Sequence, residues 1–263
     1  MDERLENIKK TLKEHNQEHL LLKYDELNDE QKEELLNQIE SIDFDLMERL
    51  YEKAKKPVNH DNDVIEPIDY VDKSKLTSSE KANYEKRGIE AIKYNKLAVV
   101  TMAGGQGTRL GHTGPKGTFD FGLKDHKSIF EALAEIFKDA WRKYDTVIPW
   151  YIMTSKQNNE QTIQFFEDNN YFWYPKDAIH FFIQGELPMV GVDGKILLDE
   201  NGEVKMAANG HGGTLKSMED SGVLAEMQVD GIEWIFISGV DNILVIPFDP
   251  LLIGMAIQHN VLS

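Results

Sequence analysis

Two cations lie among glycines in one short stretch, LAVVTMAGGQGTRLGHTGPKGTFDFG, which runs from residue 97 to residue 122. The cations are Arg109 and Lys116, and Gly104, Gly105 and Gly107 precede them. Glycines let backbone N–H groups approach phosphate oxygens, because no side chain keeps the ligand away. The spacing predicts a loop that binds a small phosphorylated ligand. A plain tight turn is the alternative interpretation.

The composition limits the kind of partner. The chain has 46 acidic and 29 basic residues, and its formal net charge is −17. Nucleic acids and anionic membrane surfaces are repelled by such a charge, so we expect neither as a partner. The absence of cysteine excludes disulfides and thiolate zinc sites. With a charged N-terminal segment, MDERLENIKK, and no apolar run of about 18 residues, the sequence predicts a cytoplasmic protein.

Two well-known phosphate-binding motifs fit the loop poorly. Gly105, Gly107 and Gly111 give G-x-G-x-x-x-G, whereas the dinucleotide motif is G-x-G-x-x-G. A Walker A motif needs adjacent glycine and lysine, and here a proline stands directly before Lys116. A dinucleotide-dependent oxidoreductase is therefore the less favoured hypothesis, and we expect a phosphate loop of another kind.

The elements around the loop predict an α/β fold. After residue 94, short apolar runs alternate with helical segments, which is typical of a parallel sheet with crossover helices. The predicted strands are Leu97–Met102, Val147–Met153, Ile179–Ile183 and Trp234–Ile237. The predicted helices are Ser128–Trp141, Asn158–Asp168, Thr214–Gln228 and Pro250–His259. Ligands bind such sheets at the carboxyl ends of the strands, so the glycine loop and Asp241 should face one crevice.

The N-terminal part predicts helices. Apolar residues have helical spacing up to Pro57, which should end the run, and Asp29 is the predicted N-cap of one helix. An extended connection is expected over residues 58–71. The capping-box spacing of Thr77 and Glu80 predicts a further helix that continues toward residue 94. We therefore divide the chain into a helical region, 1–94, and an α/β core, 95–263.

Two further features concern the core. Between Met189 and Met206, the dipeptides Asp193-Gly194 and Asn201-Gly202 are typical of tight turns and predict a small antiparallel hairpin excursion. The sequence stops just after an apparent crossover helix. We therefore expect the core to be truncated at its C-terminal end and the sequence to be a fragment of a longer protein.

The glycine loop also resembles a known family signature. The run from Gly104 to Gly111, followed by Pro115-Lys116, is similar to that of the eukaryotic-type UDP-sugar pyrophosphorylases, in particular the branch that acts on N-acetylglucosamine 1-phosphate. Four further blocks resemble the same family and occur in the same order: Trp150–Ser155, Phe182–Gly185, Gly210–Gly213 and Val240–Val245. The resemblance implies a Rossmann-like, GT-A-like nucleotidyltransferase fold with a mixed, mostly parallel sheet.

The resemblance implies a uridylyltransferase reaction. A sugar 1-phosphate would attack the α-phosphorus of UTP, releasing pyrophosphate and leaving a UDP-sugar. Positioning and charge neutralisation supply most of the rate in such transfers. By similarity, Arg109 would hold the leaving end of the triphosphate, Lys116 would reach the phosphates at the reacting centre, and Asp241 would bind Mg²⁺, which takes few protein oxygens in phosphate sites.

The resemblance also implies contacts to the nucleotide. Gln184 would hydrogen-bond uracil, because its amide can both donate and accept, and the backbone of neighbouring loops would approach base and ribose. The residues expected at the nucleotide are Ala103, Gly104, Gly105, Gly107, Gln184, Asn209, Gly210 and His211.

Some residues depart from the pattern. Gly210-His211-Gly212-Gly213 resembles the UDP-glucose pyrophosphorylase branch, and Asn209 stands where aspartate is common. A UDP-glucose-type specificity therefore stays open, as does a nucleotide-binding interaction module without turnover, and the oligomeric state is not determined. His15-Asn16-Gln17-Glu18-His19 matches the zinc peptidase pattern H-x-x-E-H. A solvated helix face is the favoured interpretation of that match.

Overall fold

The computed structural model describes residues 2–56, 64–67, 70–122 and 124–260. Its α-helices are α1 (Asp2–Glu14), α2 (Asp29–Glu40), α3 (Phe44–Lys55), α4 (Ser78–Lys93), α5 (Ile129–Tyr144), α6 (Asn159–Asp168), α7 (Thr214–Asp220), α8 (Val223–Val229) and α9 (Pro250–His259). Its strands are β1 (Leu97–Met102), β2 (Trp150–Thr154), β3 (Ile179–Ile183), β4 (Glu186–Pro188), β5 (Met206–Ala208) and β6 (Trp234–Gly239). No helix in these ranges is long and apolar enough to cross a membrane.

The chain forms two compact units. The N-terminal unit comprises Met1–Asp69 and Glu186–Ala208, and the sheet unit comprises Tyr70–Gly185 and Asn209–Ser263. These units divide the chain at positions other than residue 94, because α4 packs within the sheet unit. Our boundary between residues 94 and 95 therefore remains a prediction about domains. The expected helix end at Pro57 and most of the expected extended connection lie outside the described residues.

The sheet unit is built on four parallel strands in the order β3-β2-β1-β6. All four predicted strands are present: β1 and β3 have the predicted bounds, and the other two have shifted ends. The second begins at Trp150 rather than Val147, since Pro149 has no N–H to donate to the ladder. The last continues to Gly239, paired with Met102. The carboxyl ends of the strands therefore meet at one edge of the sheet.

Aromatic packing fixes the central strand. Phe137 of α5 stacks on Trp150 with ring centroids 4.4 Å apart, and the Trp150 indole N–H donates to the Thr101 hydroxyl at 2.8 Å. Both strands β1 and β2 are almost completely buried. Interiors packed in this way are rigid, so the loops that leave these strands start from fixed positions.

The predicted helices of the sheet unit are present, and one is divided. The segment predicted as a single helix from Thr214 to Gln228 forms α7 and α8, because Gly222 adopts a left-handed conformation with φ of 82°. A glycine in that conformation ends a helix. The capping box of Thr77 and Glu80 is confirmed at the start of α4. α4 packs on α9 so closely that a Cβ at Gly88 or Gly254 would collide with backbone of the other helix.

The N-terminal unit has a core of its own. Helices α1 and α2 bury leucine and isoleucine side chains, α3 adds Phe44, and Ile196 packs with them. The N-cap of α2 is Asn28, so the prediction of Asp29 was wrong by one residue. The Asn28 side chain accepts from the Gln31 N–H, and Gln31 reaches back to the Asn28 N–H. This reciprocal capping box satisfies two backbone donors at the helix start.

The predicted antiparallel excursion is confirmed in the N-terminal unit. Strands β4 and β5 pair antiparallel, and bridges between Val190 and Ile196 and between Leu198 and Val204 follow inside them. The two tight turns lie at the predicted glycines, Gly194 and Gly202, whose φ angles are 84° and 85°. We call residues 186–208 the excursion.

Candidate functional site

The glycine loop, residues 103–116, leaves the carboxyl end of β1 and closes on itself. The Gly107 N–H donates to the Gly114 carbonyl at 2.9 Å, and the Lys116 N–H donates to the Gly105 carbonyl at 3.0 Å. Gly111 and Gly114 have φ angles of 69° and 141°, which other residues rarely adopt. The closure returns Lys116 to a position beside Gly105, near the point where the loop began.

Several amides of the loop have no partner among the residues that the structure describes. In the part of the chain that the structure describes, no acceptor is found for the N–H groups of Gly104, Gly105 and Gln106. Gly104 and Gln106 are half-buried, where N–H groups are normally paired, and Gly105 is exposed. These donors therefore suit an external acceptor such as a phosphate oxygen. A Cβ at Gly104 would lie 2.7 Å from the Gln184 Oε1 atom. Only glycine therefore fits at position 104 without displacing Gln184.

Lys116 and Asp241 form an ion pair at this edge of the sheet, with Nζ and Oδ2 3.2 Å apart. Strand β6 runs beside β1, and the Val240 N–H donates to the Met102 carbonyl at 3.0 Å, which places Asp241 next to the loop. The Lys116 side chain is 16% exposed and that of Asp241 is 64% exposed. The hydrogen bond from Lys116 lowers the pKa of Asp241 below its usual range. The carboxylate is consequently ionised at neutral pH.

Arg109 lies on a 3-10 turn, Thr108–Leu110, in the middle of the loop. Its side chain is exposed, and within the described residues its guanidinium makes neither an ion pair nor a hydrogen bond. The structure thus gives Arg109 as a solvent-facing cation on the same loop as Lys116. The predicted role at the triphosphate stays a prediction.

Gln184 joins the end of β3 to the turn before α7. Its backbone N–H donates to the Thr154 carbonyl at 2.7 Å, and its side-chain Nε2 donates to the Gly210 carbonyl at 2.9 Å. Gly210 has φ of 75° and ψ of −178°, a conformation that is essentially restricted to glycine. Gln184 and Gly210, both predicted at the nucleotide, therefore lie together, and Gln184 also contacts the loop at Gly104.

Asn209 and His211 flank Gly210 and differ in environment. The Asn209 side chain lies between Gly185 and Gly213, where a Cβ on either glycine would collide with it. The Asn209 Oδ1 atom is buried and has no hydrogen-bond partner in the described part of the chain. His211 is exposed and contributes a smaller electrostatic effect than Lys116 to the lowered pKa of Asp241.

Sequence reasoning missed Asn158, which lies just before α6 and is completely buried. Its Nδ2 atom donates to the Ala103 carbonyl at 3.0 Å. In the sequence, Asn158 stands only as the first residue of a predicted helix, where asparagine is common as an N-cap. A signal was available in its position four residues after the end of β2, at the same sheet edge as the glycine loop.

The H-x-x-E-H match does not form a histidine pair. Helix α1 ends at Glu14, and His15 Nδ1 lies 2.9 Å from a Glu48 carboxylate oxygen. His19 Nε2 instead lies 2.6 Å from the Ile196 carbonyl oxygen. The potential ligand atoms of His15, Asp45 and Glu48 lie within 4.8 Å of one another, and His19 does not belong to that group. The arrangement differs from a zinc peptidase helix.

The parallel sheet, with a glycine loop and an acidic residue at its strand ends, has the α/β, nucleotidyltransferase-like fold of UDP-sugar pyrophosphorylase structures. The sequence profile of the UTP–glucose-1-phosphate uridylyltransferase family matches residues 42–262. The chain belongs to this family.

Relatives and solved structures agree with this assignment. The chain is 37% identical over 253 residues to a Schizosaccharomyces pombe protein named "Probable UDP-N-acetylglucosamine pyrophosphorylase", covering 92% of this chain and 53% of that protein. It is 34% identical to UDP-N-acetylglucosamine diphosphorylase 2 of Arabidopsis thaliana, covering 96% and 53%. The crystal structure of the uridine diphosphate N-acetylglucosamine pyrophosphorylase from Trypanosoma brucei matches with a TM-score of 0.78 and 28% identity, covering 99% and 56%. The chain thus spans about half the length of the curated relatives it matches.

Proposed function

We propose that this chain forms the nucleotide-binding part of a uridylyltransferase that converts UTP and a sugar 1-phosphate into a UDP-sugar and pyrophosphate. In the reaction, a phosphate oxygen of the sugar 1-phosphate forms a bond to the α-phosphorus of UTP, and the bond from that phosphorus to the bridging oxygen of the β-phosphate breaks. The names of the relatives favour N-acetylglucosamine 1-phosphate as the sugar substrate.

One observation carries the proposal: the Lys116–Asp241 pair lies beside a loop whose amides at 104–106 have no acceptor among the described residues. Charge develops on phosphate oxygens during the transfer, and preorganised donors stabilise it without reorganising. The Lys116 ammonium would contact the phosphates at the reacting centre, and the exposed Arg109 would bind the departing pyrophosphate. The N–H groups of Gly104, Gly105 and Gln106 add donors that need no conformational change to bind.

Asp241 suits a magnesium ion. Its carboxylate is exposed and ionised, and Mg²⁺ would replace its present partner, the Lys116 ammonium. Magnesium at phosphate sites takes one or two carboxylates from the protein and completes its shell with water and phosphate. When bound, the ion would neutralise phosphate charge. Asp241 would then hold the ion, and Lys116 would be free to contact the nucleotide.

Gln184 is the proposed contact of the uracil ring. Its Nε2 atom already donates to Gly210, and its Oε1 atom faces Gly104. Uracil presents one donor flanked by acceptors, which a carboxamide can match. Nε2 carries two N–H groups, so one could donate to uracil while the other keeps its bond to the Gly210 carbonyl. Asn209, whose buried Oδ1 atom has no hydrogen-bond partner among the described residues, and the exposed His211 flank Gly210 and are the proposed residues on the sugar side.

We place the reaction in the cytoplasm, since a chain without cysteine suits a reducing compartment. UTP binding and, in the intact protein, pyrophosphate release with Mg²⁺ test the whole proposal. The panel should contain the 1-phosphates of N-acetylglucosamine, N-acetylgalactosamine, glucose and galactose. We expect UTP to bind in preference to ATP, and N-acetylglucosamine 1-phosphate to give the fastest release. Fastest release with glucose 1-phosphate would contradict the sugar assignment. Binding of UTP without release from any sugar would favour the interaction module.

A further inference from the structure

Asn158 makes three hydrogen bonds from a completely buried side chain. Its Nδ2 atom donates to the Ala103 carbonyl at 3.0 Å and to the Gly105 carbonyl at 3.4 Å, and its Oδ1 atom accepts from the Ser155 N–H at 2.8 Å. The first two bonds reach the glycine loop after β1, and the third reaches the end of β2. A buried amide with all its partners in place is a rigid connection. Asn158 therefore ties the glycine loop to the neighbouring strand.

The side chain does not serve its own helix. Asparagine before a helix normally accepts a hydrogen bond from one of the first helical N–H groups. Asn158 occupies the N-cap position of α6, and its side chain makes no such bond. Its hydrogen-bonding groups are directed to the loop and to Ser155 instead. A departure from local helix rules in favour of a distant contact is expected at functional sites.

Because a peptide group is planar, the hydrogen bonds from Asn158 to two carbonyls also set the direction of two backbone N–H groups. In a trans peptide the C=O and the N–H of the same plane point in opposite directions. The Ala103 carbonyl shares its plane with the Gly104 N–H, and the Gly105 carbonyl shares its plane with the Gln106 N–H. When Asn158 holds both carbonyls, both N–H groups point away from it. These N–H groups are among those that have no acceptor in the described residues.

We propose that Asn158 is a positioning residue that fixes the Gly104 and Gln106 amides as donors to the phosphates of bound UTP. The inference rests on the proposed function for the identity of the ligand. The Gly105 carbonyl also accepts from the Lys116 N–H at 3.0 Å, so the same contact steadies the backbone of Lys116. Asn158 itself does not touch the nucleotide and acts through the two peptide planes.

The test compares Asn158→Asp with Thr162→Val. In Asn158→Asp, one carboxylate oxygen still accepts from Ser155, whereas the other faces two carbonyl oxygens and can only repel them. Thr162 is also completely buried on α6, and its hydroxyl has no partner in the described part of the chain, so Thr162→Val is a matched buried substitution. Asn158→Ala removes the donor without adding repulsion. It replaces Asn158→Asp in the test if the aspartate variant fails to fold.

UTP and uridine affinities are measured for each variant, together with the ¹H–¹⁵N chemical shifts of Gly104 and Gln106. We expect UTP affinity to fall about tenfold or more in Asn158→Asp and less in Asn158→Ala, with uridine affinity unchanged. The shifts of Gly104 and Gln106 on adding UTP should disappear in Asn158→Asp and persist in Thr162→Val.

Two results would overturn the inference. One is wild-type UTP affinity in folded Asn158→Asp and Asn158→Ala. The other is an equal loss of UTP and uridine affinity, which would indicate general disruption of the loop. If the unsubstituted chain fails to bind UTP, the proposed function fails instead. The two amide shifts without nucleotide then test the contact alone, and shifts identical in Asn158→Asp and the unsubstituted chain would refute it.

Discussion

The excursion and the glycine loop both contain glycines in turns, but the glycines have different structural roles in the two segments. In the excursion, Gly194 and Gly202 have positive φ angles, and the turns satisfy their own polar groups. The Asp199 carboxylate, for example, accepts from the N–H groups of Asn201 and Glu203. In the glycine loop, Gly104 has no positive φ; it is required because a Cβ would meet Gln184, and its N–H has no acceptor in the described residues.

The difference shows what separates a binding loop from a turn. A glycine by itself predicts only conformational freedom. Unpartnered N–H groups beside a cation indicate a site that an anion can fill, and the glycine loop combines these with Lys116. The excursion has hydrogen-bonded turns and packs Ile196 into an apolar core. The glycines of the excursion turns shape the chain, whereas Gly104 leaves room for Gln184 and carries an N–H that has no acceptor in the described residues.

The largest effect on activity is expected from replacing Lys116, the cation that distinguishes the glycine loop from the excursion. Lys116→Ala should lower pyrophosphate release at least about a hundredfold, because one preorganised donor to a developing charge is lost. The free energy of unfolding should change by less than about 1 kcal/mol, since the partner carboxylate is largely exposed. Lys127→Ala is the matched control, because Lys127 pairs with Asp125 and Glu135 and is similarly covered. Equal losses in the two variants would remove Lys116 from the site.

Replacing Asp241 tests whether this residue binds the proposed Mg²⁺ ion beside the glycine loop. Asp241→Asn keeps the shape of the side chain and removes its charge. The factor by which Mg²⁺ raises UTP affinity should therefore be smaller by about tenfold or more. The measurement is a UTP titration at several Mg²⁺ concentrations. An unchanged magnesium dependence would show that the ion binds elsewhere. Asp249→Asn is the control, because Asp249 lies outside the site at the start of α9.

Adding a methyl group to the loop tests the space around it. In Gly104→Ala the new Cβ would lie 2.7 Å from the Gln184 oxygen, so Gln184 must move and UTP affinity should fall about tenfold. Gly212→Ala is the matched control, since nothing lies within 4 Å of a Cβ there and its φ is not positive. Calorimetric titration with UTP distinguishes the two variants. Equal affinities would contradict the close approach of Gly104 and Gln184.

The smallest effect on the ligand is expected in the excursion. Gly194→Ala places a side chain at φ of 84° and should lower the free energy of unfolding by about 1–2 kcal/mol. UTP affinity should stay the same within error. Urea denaturation and a UTP titration measure the two quantities. A change in UTP affinity as large as that of Gly104→Ala would mean that both segments serve the ligand, and would break the comparison.

Much of the fold was predictable because its signals are local. Strands β1 and β3 and helix α9 have the predicted bounds, since apolar runs bordered by turn residues mark them. The errors arose where a single residue decided the outcome. Gly222 divides a helical pattern in two, and Asn28 takes the capping position one residue before Asp29. Periodicity over a window does not detect either effect.

The sequence by itself determined the glycine loop, the identity of its cations and the placing of Asp241 after a strand, because each depends on neighbours along the chain. Tertiary structure alone decided which of these groups meet. The pairing of β1 with β6 brings Asp241 to Lys116, and the pairing of β1 with β2 brings Asn158 to the loop carbonyls. Contacts between residues more than fifty positions apart depend on strand order and packing, which local propensity does not encode.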